Sequence, residues 1–244
     1  MKSIVTVFVL LLGLVQPSVA AQNPETVILK IVKVYIPFRF DDNDRAQAVI
    51  VGILPDMCFK AGPYEVKVNE SNQTIRITQR AYHYKGICMT VTLPFSQVVE
   101  LGILKLGTYE LIDDKTGQAI GKLGVAQAKS ESADDYVYAP VSEANVAIGP
   151  DKSKAVTLSG SFTSRCQSIQ QVLISYYPEV VVVQPIIEFK ASNEECKFER
   201  VAFAEKVALK PDLSKNFLLH VRSMDGQAIN KLIDLSSLSN PFKG

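Results

Sequence analysis

Residues 117–125 read GQAIGKLGV, and residues 226–235, near the C-terminus, read GQAINKLIDL. Six of the first seven letters agree in order. Such a match is improbable by composition alone, because one position agrees by chance only about once in twenty. We interpret the two stretches as the same structural element in two copies of one domain.

Other identities fall at almost the same offset and support the duplication. The matching positions are Gly52 and Gly160, Phe95 and Phe203, Val99 and Val207, and Leu101 and Leu209. Two copies of about 100 residues are too few for a solenoid, and each is large enough to have its own core. The sequence therefore predicts one domain at residues 22–128, a polar linker at 129–143 and a second domain at 144–244.

The first twenty residues have the features of a secretory signal peptide. Lys2 precedes an apolar run at residues 4–15, and Ser18 and Ala20 place small residues before a cleavage site. An N-terminal membrane anchor is the alternative, but the apolar run is shorter than the roughly 20 residues a spanning helix needs. We expect a secreted or periplasmic protein with no membrane span in the mature chain.

The four cysteines have a regular spacing. Cys58 and Cys88 are 30 positions apart, and so are Cys166 and Cys196. Four cysteines allow three pairings, but the duplication favours one disulfide within each copy. A zinc site with four cysteine ligands is the alternative; it is disfavoured because no C-x₂-C pair is present and export implies an oxidising compartment.

Short, β-branched segments separated by turn residues fill the chain. In TIRIT, Ile75 and Ile77 share one face while the polar residues share the other, as expected of a half-buried strand. Short strands at this spacing are typical of sandwiches. We predict an all-β protein with two tandem antiparallel immunoglobulin-like β-sandwich domains, each with one disulfide.

The repeated heptad follows a turn in each copy, so it should begin the last strand of its domain. We expect Ala119 and Ala228 to pack inward. Lys122 and Lys231 should point outward, where lysine opposes edge-to-edge pairing. Both lysines are also candidate partner contacts.

Residues 52–59 (GILPDMCF) and 86–113 (GICMTVTLPFSQVVELGILKLGTYELID) carry the pattern Leu-Pro-Asp-x-Cys, a second cysteine, Pro-Phe and Gly-Thr-Tyr. This pattern resembles uncharacterised, secreted bacterial immunoglobulin-like β-sandwich repeat modules. The second copy departs from it, with SFTSRC in place of ILPDMC. The resemblance implies a fold and an exported location, and it assigns neither an activity nor site residues.

Composition and motifs argue against several functions. The formal net charge of +1 gives no basis for nucleic-acid binding. The two histidines, His83 and His220, lie in no nucleophile-elbow or zinc-protease motif, and disulfide formation would leave no thiol nucleophile. We therefore expect a protein that is not an enzyme and needs no cofactor.

Two further clusters are candidate sites. Asp41, Asp42 and Asp44 offer hard oxygen ligands for calcium, although a solvated turn explains them as well. Tyr82 and Tyr84 lie on one face of an extended segment, where aromatic rings contact a sugar or a protein, or pack across strands.

The sequence leads to three functional hypotheses. The first is an exported, non-enzymatic module that contacts an envelope protein or glycan, in an unspecified oligomeric state. The second is a periplasmic chaperone for surface fibres, which would require residues 176–187 (YYPEVVVVQPII) at a sheet edge. The third, a secreted hydrolase, would require a buried histidine with carboxylate and hydroxyl partners.

Overall fold

A computed structural model describes residues 23–132, 134–190 and 196–238, and nearly all regular structure in them is β-strand. The predicted signal peptide lies outside the described residues. Strands β1–β9 form a first sandwich and strands β10–β16 form a second. One helical turn, α1 (Leu235–Leu238), follows the last strand.

The first sandwich has two sheets. The smaller sheet has the order β2-β4-β7, with β2 (Ile31–Tyr35), β4 (Ala46–Leu54) and β7 (Leu93–Gly102). The larger sheet has the order β1-β6-β8-β9-β3, with β5 paired to the other side of β6. Its strands are β1 (Glu25–Leu29), β3 (Phe40–Asp41), β5 (Phe59–Asn69), β6 (Thr74–His83), β8 (Gly107–Asp113) and β9 (Gln118–Ala126).

The second sandwich repeats this plan. Its smaller sheet has the order β10-β11-β14, with β10 (Val141–Ile148), β11 (Lys154–Ser164) and β14 (Phe198–Leu209). Its larger sheet has the order β12-β13-β15-β16, with β12 (Gln167–Tyr176), β13 (Val180–Phe189), β15 (Asn216–Ser223) and β16 (Gln227–Asp234).

Seven strands of each sandwich correspond in order, as a duplicated domain requires, whereas β1 and β3 have no counterpart strand in the described part of the second sandwich. The predicted all-β sandwich fold is confirmed, and so are both disulfides, Cys58–Cys88 and Cys166–Cys196. Each larger sheet also contains a parallel pair, β6 with β8 and β13 with β15, which the prediction of antiparallel sheets did not include. The strand between the members of each pair lies in the opposite sheet.

The identities that revealed the repeat are core positions. Gly52 faces Phe95 across β4 and β7, and Gly160 faces Phe203 across β11 and β14. A Cβ on Gly52 would lie 2.5 Å from the Phe95 ring, and one on Gly160 would lie 2.7 Å from the Phe203 ring. The covering aromatic ring therefore explains Gly52, and the Phe203 ring together with the Pro140 carbonyl oxygen, which would lie still closer to such a Cβ, explains Gly160.

The second sandwich begins earlier in the chain than predicted. Tyr138 is buried and bridges to Ile186 of β13, and the Ala139 amide donates to the Pro185 carbonyl at 2.8 Å. Residues 137–139 therefore occupy the place that β1 takes beside β6 in the first sandwich. β10 starts at Val141, so the segment predicted as a linker at residues 129–143 contributes its last part to the second sandwich.

The two sandwiches pack face to face. The outer face of the β2-β4-β7 sheet contacts the outer face of the β13-β15-β16 part of the other sandwich through an apolar cluster of Tyr35, Val49, Val180, Val182 and Leu218. The described chain is thus a stack of four sheets. Strand β13 is buried on both faces because one face lies in its own core and the other lies at this interface.

A candidate binding surface beside the first disulfide

An irregular segment, residues 84–92, crosses the end of the first sandwich between β6 and β7. The Cys58–Cys88 disulfide fixes its middle to the turn before β5. The Tyr84 amide donates to the Cys58 carbonyl at 2.9 Å, and the Met57 amide donates to the Met89 carbonyl at 3.3 Å. The disulfide and backbone hydrogen bonds therefore hold this segment in place.

Large apolar side chains from this segment and the neighbouring turn point into solvent. Met89 is 64% exposed, Met57 is 51% exposed and Ile87 is fully exposed. We call the whole set the apolar tip: Ile53, Met57, Ile87, Met89 and Val91. Single exposed apolar residues are common in soluble proteins, but five on one turn, one strand end and one short segment are unusual and make this region a candidate interaction surface. Methionine also adapts its shape to a partner.

The second sandwich shows what the same scaffold looks like without such a surface. At the offset of 108 positions, Met57 is replaced by Arg165, Met89 by Lys197 and Val91 by Glu199.

Arg165 and Glu199 form an ion pair at 2.6 Å. The fold therefore accepts charged side chains at these positions, and the apolar ones in the first copy are not needed for folding. Phe198, the counterpart of Thr90 at the offset of 108, is an exposed apolar residue in the second copy and is the exception to this pattern.

Sequence reasoning missed the apolar tip because it read LPDMC and GICMTVT as a family pattern. A comparison of the two copies at the repeat offset would have identified the tip, because it aligns apolar residues of the first copy with charged residues of the second.

Two of the four predicted contact residues lie near the tip. Tyr84 is exposed and begins the segment, whereas Tyr82 is half-buried on β6, opposite Thr26 and Lys60. Partner contact by either tyrosine stays a prediction.

The other two predicted contacts, the repeated lysines, have different surroundings. The heptad does begin the last strand of each sandwich, and both lysines are exposed. Lys122 pairs with Glu110 and lines a shallow groove between the sandwiches, whereas Lys231 pairs with Leu219 and its Nζ donates to the Asn145 side chain at 2.9 Å.

The alanines of the heptad do not pack inward as expected. Ala119 is exposed and Ala228 is only half-buried. Partner contact by the lysines stays a prediction.

The acidic loop joins the two sandwiches. Asp44 accepts two hydrogen bonds from Arg222 of β15, at 2.6 and 2.9 Å, and both side chains are over 90% buried. Asp42 accepts from the Ala128 amide at 2.8 Å, and Asp41 accepts from the Asn43 amide at 3.3 Å. Each carboxylate therefore has a protein donor, and calcium binding by this loop stays a prediction.

The electrostatics of this loop follow from its burial. Burial raises the pKa of the Asp41 carboxyl, and the charge of Asp44 adds to the effect. Burial disfavours the charged Arg222 guanidinium, but the hydrogen bonds and charge of Asp44 outweigh that effect, so the pKa of Arg222 is raised.

A second polar contact crosses the interface beside Arg222. His220 Nδ1 lies 2.7 Å from the Asn230 side-chain oxygen, and the Asn230 amide donates to Gln47 at 2.6 Å. Gln47 in turn donates to Glu100 at 2.8 Å. Burial lowers the pKa of His220 to about 4, although the Asn230 contact partly opposes the shift. His220 is therefore neutral at pH 7 and serves as part of the interface.

Neither a metal site nor a catalytic thiol is formed by the cysteines. Asp56 lies beside Cys58 and Cys88, but both sulfurs are in the disulfide and the Asp56 carboxylate accepts from the Cys58 amide at 2.7 Å. In the ranges that the structure describes, no helix is long and apolar enough to cross a bilayer.

One comparison with known proteins gives a match. No curated protein and no solved structure shows significant similarity to the chain. A family model described as the ORF11 beta-sandwich domain matches residues 48–116, which run from β4 to the turn before β9 and include the whole apolar tip. This part of the first sandwich is therefore similar to the ORF11 beta-sandwich domain.

Proposed function

We propose that the protein is an exported, non-enzymatic binding module of the cell envelope, and that it contacts a protein partner through the apolar tip of its first sandwich. The observation that carries the proposal is the contrast between the two copies: apolar Met57, Met89 and Val91 stand where the second copy has charged residues.

The build of the molecule supports a binding role. The disulfide and the backbone hydrogen bonds fix residues 84–92 before any partner arrives, which lowers the ordering cost of association. The packed interface between the sandwiches presents the tip from one rigid stack. Disulfides are typical of exported proteins, which agrees with an envelope location.

The alternative functions lack a supporting contact in the described residues. Val180–Val183 pair with β12 on one side and β15 on the other, so they offer no edge for a fibre subunit. His220 is held by Asn230 under the second sandwich, and the His83 ring stacks on Phe59 at 4.3 Å. These arrangements favour the binding module over a chaperone or a hydrolase.

The test transplants the surface of the second copy onto the first. The variant Met57→Arg/Met89→Lys/Val91→Glu should fold as well as the wild type, because the second copy carries the same three residues on the same scaffold. Immobilised wild-type protein should retain a protein from an envelope extract of the expressing cells, and the variant should not.

A matched control locates the contact. A photo-crosslinking residue at Met89 should capture the same protein in the cell, whereas the same residue at Lys197, its counterpart in the second sandwich, should not. Equal capture by the wild type and the triple variant, or equal crosslinking from positions 89 and 197, would refute the proposal. Cell fractionation with N-terminal sequencing of the mature chain tests the exported location.

A further inference from the structure

The second sandwich has a cavity of about 450 Å³ at the end of its larger sheet. Val181 and Phe217 form its floor. The rest of its lining comes from the turn after β12 and the loop between β14 and β15: Tyr176, Tyr177, Pro178, Lys210, Asp212, Leu213 and Ser214. It lies within the second sandwich and is separate from the apolar tip.

The first sandwich closes the corresponding space. The loop between β7 and β8 covers residues 103–106, whereas the loop between β14 and β15 is longer and covers residues 210–215. Leu104 is 2% exposed and packs in the first core, whereas 78% of the Asp212 side chain is exposed. Leu213, the next residue, is only half-buried and lines the cavity. The opening is therefore a property of the second copy and not of the fold.

The chemistry of the lining combines apolar walls with a mixed polar rim. The Tyr176 hydroxyl accepts from the Lys210 amide at 3.1 Å, which fixes the ring as a wall. The Lys210 ammonium lies 4.9 Å from the centre of that ring and 3.9 Å from the Asp212 carboxylate. At this separation the two charged groups are not hydrogen-bonded to each other, so both can still bond to a ligand. The Ser214 hydroxyl, which donates to the Pro178 carbonyl, adds an acceptor.

We propose that this cavity binds a sugar unit of a glycan. Sugar hydroxyl groups both donate and accept, so one ring can donate to Asp212 and accept from Lys210. The C–H face of the ring is apolar and fits against Tyr176 and Leu213. The opposite charges of Lys210 and Asp212, 3.9 Å apart, largely offset each other, so the rim favours a neutral polar ligand over an anion or a cation. The volume accommodates a ligand about the size of a disaccharide.

Isothermal titration calorimetry of the full-length mature protein with maltose, lactose and di-N-acetylchitobiose tests the proposal. We expect saturable binding of at least one of them, with Kd on the order of 1 mM. Asp212→Leu removes the carboxylate acceptor from the rim of the cavity and should weaken binding at least about tenfold without lowering the melting temperature.

A second variant covers the case in which Asp212→Leu fails to fold. Lys210→Met keeps the apolar stem over Tyr176, removes the ammonium and should weaken binding by a similar factor. The triple variant at the apolar tip should bind the sugar as the wild type does, because its substitutions lie in the other sandwich. Absence of binding to all three disaccharides, or unchanged affinity in folded Asp212→Leu or Lys210→Met, overturns the assignment.

Discussion

Removing the Asp44 carboxylate should destabilise the whole molecule, because Arg222 would remain buried without its counter-ion. The guanidinium donates two hydrogen bonds to Asp44 and one, at 2.6 Å, to the Arg39 carbonyl, and it lies 5.1 Å from the centre of the Phe40 ring. Asp44→Ala leaves the Arg39 carbonyl, the Phe40 ring and the charge of Asp134, which does not hydrogen-bond to the guanidinium. Arginine does not lose its proton in proteins, so the charge cannot be relieved by deprotonation.

The size of the expected loss of stability follows from the burial of both Asp44 and Arg222. Breaking one half of a buried ion pair typically costs about 3–5 kcal/mol, and the side chains of Arg222 and Asp44 are only 8% and 6% exposed. Replacing both by apolar residues is often nearly neutral. We therefore expect Asp44→Ala and Arg222→Met each to lower the free energy of unfolding by about 3–5 kcal/mol, and Asp44→Ala/Arg222→Met to lower it by far less than the sum.

Urea unfolding at pH 7, followed by far-UV circular dichroism, measures these differences. A double-mutant cycle then gives the coupling energy between positions 44 and 222, which we expect to be at least about 3 kcal/mol. Lys33 with Glu179, an exposed ion pair that also joins the two sandwiches, is the matched control and should couple by about 1 kcal/mol or less. A coupling between Asp44 and Arg222 as small as that of the exposed pair would show that the buried pair does not hold the interface.

Two further predictions concern the interface and the repeated glycines. The pKa of His220 is about 4 in the folded chain and about 6.5 when unfolded, so the unfolded state takes up a proton as the pH falls through this window and the folded state does not. Between pH 7 and pH 4, the free energy of unfolding of the wild type should therefore fall by about 3 kcal/mol because of this residue. His220→Gln should lack this part of the fall when the midpoints of urea unfolding are compared at the two pH values. Equal pH profiles for the two proteins would contradict the assignment. Gly52→Ala places a methyl group 2.5 Å from the Phe95 ring and should lower the stability by about 1–3 kcal/mol in thermal unfolding. The double variant Gly52→Ala/Phe95→Leu should recover part of this stability. An unchanged stability in Gly52→Ala would contradict the close packing.

Local patterns in the sequence predict the strands and their grouping, because the signals lie within one copy. Period-two alternation at Ile75 and Ile77 correctly indicates a strand with one buried face. The equal spacing of the cysteines correctly selects their pairing. The parallel pair of β6 and β8 has no such signal, because its partners are separated by a strand in the other sheet.

Contacts between the sandwiches are the part that sequence reasoning could not reach. Asp44 and Arg222 are 178 positions apart, so the loop around Asp41 reads as a solvated or calcium-binding turn when its partner is unknown. Residues 129–143 look like a linker because they are polar, yet Tyr138 within them is buried and continues the second sheet. In both cases a tertiary contact decided the role of residues whose local composition favoured exposure.

The duplication also separates what the fold requires from what each copy adds. Positions that both copies share, such as the glycines under Phe95 and Phe203, are explained by packing within one sandwich. Features in which the copies differ are free of that requirement, and two stand out: apolar residues around Cys88 in the first copy, and a cavity beside the longer loop between β14 and β15 in the second. At the apolar tip, the second copy shows that charged residues are compatible with folding, so exchanging these residues alters the tip without altering the cavity. The folded triple variant should lose partner binding at the tip but retain sugar binding in the cavity, and folded Asp212→Leu should do the opposite. This pair of results would show that the two sandwiches have diverged toward different ligands.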